Sequence, residues 1–143
     1  MFGYLLNLNK KRSDKKKLLS FYGEVYKNWE SYHVMHQRGY YQSFVLTEWE
    51  KAQVNSLITL EEPLLTYHSI LDEFNRKLAD FVEYEKWYVA DMNNKTKDNA
   101  EILHSKKNDV ITYFKKIGPV VTAARDSLRA QLQRMRMILP GVR

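Results

Sequence analysis

One alternation constrains this chain more than any other feature. Between Thr59 and Met92, apolar residues recur at Leu64, Tyr67, Leu71, Phe74, Leu78, Phe81, Tyr88 and Met92, in steps of three and four with a single gap at Glu85. Such spacing collects side chains on one face of an α-helix and makes a continuous seam for a packing partner. Thr59-Leu60-Glu61-Glu62 has the form of a capping box, in which a hydroxyl and a carboxylate satisfy the first free N–H groups. Pro63 lies close enough to that start to be tolerated. The pattern predicts one long amphipathic helix over 59–92.

The flanking sequence repeats the theme. Ser13 or Asp14 can cap a helix over 13–37, along which Leu18, Tyr22, Val25, Trp29, Tyr32 and His36 keep the alternation. Leu19, Tyr26 and His33 widen that stripe, and Gly39 is placed to end the helix. Residues 41–57 fit a helical face only loosely. Ser43-Phe44-Val45-Leu46-Thr47 taken alone passes for a strand, but a lone strand has nothing to pair with, so a helix is expected. Asn93-Asn94-Lys95 reads as a turn, and Thr96 or Asp98 can cap a helix over 96–117. Beyond Gly118-Pro119 the seam continues in phase through Val121, Ala124 and Leu128, which predicts a kink followed by a helix over 119–139. The expected fold is all-α: an up-and-down bundle of four to five helices, with a long antiparallel coiled-coil-like pair (59–92 with 96–117) and a Pro-kinked last helix.

A length of 143 residues suits one domain, here 13–143, preceded by an apolar and basic tail over 1–12. The chain has no Cys, which excludes a disulfide framework, a thiolate metal site and a cysteine nucleophile. No run approaches the roughly 20 apolar residues of a membrane span. The N-terminus places its charges after its apolar residues, unlike a secretory signal. These features point to an intracellular rather than a secreted protein.

Two spacings raise the question of metal. Glu30-Ser-Tyr-His33 and Glu101-Ile-Leu-His104 each match the Glu-x-x-His motif of di-iron bundles, with Glu48, Glu50, Glu73 and Glu85 as further carboxylates. Relative to the seams, however, both motifs lean outward, and no metal or cofactor is expected. His33 and His36 share a face and suit the polar edge of an aromatic stripe better than a zinc site. No nucleophile with a paired base and no glycine-rich phosphate loop is present, so no enzyme activity is expected.

The net charge of +6 draws attention to the chain ends. Lys10, Lys11, Arg12, Lys15, Lys16 and Lys17 form one basic cluster; Arg125, Arg129 and Arg136, four and seven apart, form one helix face. Phe2, Tyr4 and Leu5 offer a small apolar anchor. With an aromatic share of 13%, the expected function is a non-enzymatic subunit that meets protein partners, or further copies of itself, through aromatic helix faces and basic termini. The alternatives are a nucleic-acid-binding bundle of coat-like or ribonucleoprotein type, whose arginine face tracks phosphates, and a peripheral protein on an anionic membrane surface.

Overall fold

The computed structural model describes the backbone of residues 2–54 and 62–134, and the side chains of 16–51 and 62–134. The described residues are all-helical, without strands. They comprise α1 (Phe2–Arg38), α2 (Thr47–Val54), α3 (Leu64–Ala90), a 3₁₀ turn (Met92–Asn94), α4 (Lys97–Phe114) and α5 (Ile117–Arg134). The last two helices are joined and bent by 35°.

Cross-helix contacts set the directions. Along α1, Tyr32 meets Phe114 with ring centroids 5.0 Å apart, Trp29 lies under Arg125 at 4.2 Å, and the Arg129 Nε donates to the Tyr22 hydroxyl at 3.4 Å. Falling numbers on α1 match rising numbers on α4–α5, so α1 is antiparallel to that rod. α3 is antiparallel to it as well: Phe74 meets Phe114, Lys77 lies over the Tyr113 ring, the Lys106 ammonium donates to Asp80 at 2.6 Å, and Tyr84 meets Asn99. α1 and α3 therefore run the same way, with residues 42–49 running back between them. The α3–α4 antiparallel pairing is as expected. The core is one cluster in which Phe21, Tyr22, Val25, Tyr67, Leu71, Phe74, Ile117, Val121 and Leu128 are fully buried.

Two parallel helices need a return path, and residues 40–54 provide it. Gly39, at φ +72°, donates its N–H to the Met35 carbonyl and reverses the chain at the end of α1. Tyr40 to Leu46 then run without helical structure in the groove between α1 and α3. Phe44 exchanges both backbone groups with the Asn75 side chain: its N–H donates to Oδ1 at 2.8 Å and its carbonyl accepts from Nδ2 at 2.9 Å. Val45 does the same with Asn28, at 3.2 and 2.8 Å. In an extended chain, successive residues aim their backbone groups to opposite sides. Two asparagines on opposite helices thus stand in for the missing neighbour strands. This corrects the helix expected over 41–57: only Thr47–Val54 is helical among the described residues.

Other boundaries shift for local reasons. α1 begins at Phe2 rather than Ser13, so residues 2–12 are helical. α3 begins at Leu64, directly after Pro63, because proline lacks an N–H and holds the preceding residue away from helical geometry. Pro63 makes no side-chain cap bond, and Thr59 lies outside the described residues. The Thr96 hydroxyl does cap α4, accepting from the Asn99 N–H at 3.1 Å. The last break falls at Lys115 and Lys116, just ahead of Gly118-Pro119. Pro119 cannot donate to the Lys115 carbonyl and sits instead in the first turn of α5, where no such bond is needed.

Candidate interaction surfaces

The packing of the core decides which surfaces are open. The last buried residue of α3 is Leu78 and the first of α4 is Val110; from Ala79 to Asp109 no residue is buried. α1 has already turned away at Gly39, and α5 lies alongside the other half of α3. The α3–α4 hairpin beyond Leu78 therefore projects as a two-helix arm, about 18 Å long at 1.5 Å per residue. Its tip is tied down. The Asp91 carboxylate accepts from the Asn93 N–H at 2.9 Å, the Asn94 amide donates to the Trp87 carbonyl at 2.8 Å, and the Asn99 amide donates to the Asn94 carbonyl at 2.8 Å.

This arm displays large apolar side chains on two faces. On one, Asp80, Tyr84 and Trp87 follow each other at helical spacing, and Lys106, reaching Asp80 and the Tyr84 ring, brings Ile102 of α4 to the same side. Trp87 is 46% and Ile102 44% exposed. On the opposite side of α3, Val82 and Val89 are 37% and 59% exposed, and Met92 in the 3₁₀ turn is 78% exposed. The arm carries seven acidic and five basic residues, so it is acidic on a chain of net charge +6.

The arginine face expected on the last helix is differently employed. Arg125 lies over the Trp29 ring and is paired with Asp126 at 3.0 Å, and Arg129 reaches Tyr22. Both stitch α5 to α1 instead of standing free in solvent. Arg136 lies outside the described residues, as do the side chains of Phe2, Tyr4, Leu5, Lys10, Lys11, Arg12 and Lys15; Lys16 and Lys17 are exposed on α1.

The Glu-x-x-His spacings are not brought together. His33 and His36 are exposed on α1, against Trp29 and Tyr32, whereas Glu101 and His104 are exposed on the arm, about 15 Å along the rod from the Tyr32–Phe114 contact. Among the described residues, no three His, Asp or Glu side chains are grouped to hold a metal ion. Nor is any described helix long and apolar enough to cross a membrane.

Two buried polar side chains, Glu24 and Asn28, lie beside a polar groove of about 650 Å³ between α1 and the return segment, lined by Ser20, Lys27, Ser31, Gln42, Ser43 and Glu48 among others. Both are already committed to the fold. The Glu24 carboxylate accepts from the Thr47 hydroxyl and from the Glu48 and Trp49 N–H groups, capping α2 from across the groove. Desolvation raises its pKa above the ordinary value of 4.5, and the hydrogen bonds partly offset that rise. Sequence reading passes over Glu24, Asn28 and Asn75, because their partners are 17 to 31 residues away. Comparisons with protein families, curated proteins and solved structures returned no match to this chain.

Proposed function

We propose that this chain is a non-enzymatic interaction subunit, a helical bundle that docks onto a protein partner through the projecting α3–α4 arm. The observation that carries the reading is the arm itself: 31 residues, Ala79 to Asp109, none buried, with Trp87 and Ile102 on one open face. A pair of helices standing clear of the core leaves apolar surface uncompensated, and such surface marks an interaction site. Tryptophan in particular concentrates binding energy when a partner covers it. The acidic balance of the arm favours a protein over nucleic acid or an anionic membrane, and the engagement of Arg125 and Arg129 within the fold weakens the phosphate-tracking alternative.

The test compares capture by the full chain with capture by a Trp87→Ala/Ile102→Ser variant, partners being identified by mass spectrometry. The expected result is a defined protein retained by the natural chain and reduced at least tenfold with the variant. An identical partner set for both would overturn the reading. Catalytic turnover in a substrate screen, lost on substitution within the groove at Lys27, would overturn its non-enzymatic part.

A further inference from the structure

The open face that carries Trp87 and Ile102 has a charge pattern of its own. Lys106 meets Asp80 and Tyr84 meets Asn99, an antiparallel register that sets the turn of Trp87 level with Asp98 and the turn of Ile102 level with Glu83. Glu83 stands one helical turn before Trp87, and Asp98 one turn before Ile102. The four positions therefore form a square, with the apolar pair on one diagonal and the carboxylates on the other. We infer that the occupant of this face is a basic amphipathic helix of another protein, laid over Trp87 and Ile102 with a lysine or arginine toward each carboxylate. The inference rests on the reading of the arm as a docking element and names the chemistry of its partner.

Three observations carry it. The first is charge. Glu83 and Asp98 are exposed, and neither has an ion-pair partner among the described residues. Lys106, on the same face, is already taken up by Asp80 and the Tyr84 ring. The face thus offers unpaired negative charge on both sides of an apolar diagonal, and complementarity calls for cations on both flanks of the partner. The second is shape. Two packed antiparallel helices leave a groove between them, and such a groove receives a third helix by its apolar ridge. Residues four apart on a helix stand about 6 Å from each other and packed axes lie about 9 Å apart, so the Trp87–Ile102 diagonal spans roughly 11 Å. That is the distance between residues about seven apart on the incoming helix, at 1.5 Å per residue. The third is order. The Trp87 ring packs on Tyr84 at 5.3 Å, and its carbonyl accepts from the Asn94 amide at 2.8 Å. The largest apolar contact is therefore in place before a partner arrives, which lowers the cost of binding.

The probes are two fluorescein-labelled peptides of about 20 residues, long enough to hold a helix. They share one leucine seam, flanked by lysines in one and by glutamates in the other, and are titrated with the full chain by anisotropy. The lysine peptide is expected to bind at least about a hundredfold more tightly than the glutamate peptide. Trp87→Ala should weaken it about tenfold. Glu83→Lys/Asp98→Lys should weaken the lysine peptide about tenfold and strengthen the glutamate peptide. Glu85→Lys/Glu101→Lys makes the same change in net charge at positions two and one residues from Trp87 and Ile102, which do not share their face. It should change either affinity by less than about threefold, and circular dichroism checks that each variant stays helical. Equal binding of the two peptides, binding of neither, or equal effects of the two double reversals would overturn the inference. So would a dimer of the chain in sedimentation equilibrium that Trp87→Ala abolishes, since the face would then belong to a second copy. Trp87-dependent capture of a protein that is indifferent to Glu83→Lys/Asp98→Lys would remove the basic helix and leave the docking arm standing; capture indifferent to Trp87 as well would remove both.

Discussion

Asn28, Asn75 and Glu24 show how much of this fold rests on single polar side chains. Each satisfies backbone groups of the return segment that have no ladder of their own, and leaving such groups buried without partners costs about 1–3 kcal/mol apiece. Glu24 adds a pH dependence. Its folded pKa is raised by desolvation, so between pH 4.5 and that raised value the folded chain holds a proton that the unfolded chain has released. Stability from this group therefore falls as pH rises through that window and is constant above it. Glu24→Gln keeps an acceptor for α2 but cannot titrate. Urea midpoints measured from pH 4 to 8 should decline through the window in the natural chain relative to the variant; parallel curves would show that Glu24 does not titrate in this way.

At the scale of elements, the crossing of α1 and α5 depends on Gly118. A Cβ built there would lie 2.6 Å from the Tyr32 hydroxyl oxygen and 2.8 Å from its Cζ. Tyr32 has little room to yield, packed as it is on Phe114 at 5.0 Å and stacked with His36 at 5.9 Å. Gly118→Ala should destabilise the chain by about 1–3 kcal/mol through overpacking, although alanine is the better helix former. In a Tyr32→Phe background, which removes the nearest atom, the penalty should shrink; equal penalties in a double-mutant cycle would place the strain elsewhere. The glycine-proline pair thus has divided roles: Pro119 interrupts the rod, and Gly118 lets α1 approach the new direction.

Over the whole molecule, burial is uneven. The half of α3 that carries Leu64, Tyr67, Leu71, Phe74 and Leu78 lies in the core, while its other half stands in the arm with α4 alone. Opening free energy follows buried contacts, so in dilute solution amides of 79–109 should exchange with deuterium faster than those of 67–78 and 117–132. Uniform protection across both regions would contradict a projecting arm. The same asymmetry separates the two ends electrostatically: the arm is acidic, and the basic excess lies on the remainder of the chain.

The periodicity of the chain determined by itself that it is helical, where the long seams run, that Gly39 ends α1 and that Thr96 starts α4. These are local matters, set by 3.6-residue spacing and by side chains bonding within one turn. That residues 40–46 pass between α1 and α3 without helical structure was decided by tertiary structure, because it depends on their finding hydrogen-bond partners on those two helices. Tertiary structure also decided that Arg125 and Arg129 face α1 and not solvent, and that the seam of α3 is covered only as far as Leu78. A seam records which face of a helix is apolar; only the placement of neighbouring helices decides how much of that face remains open for a partner.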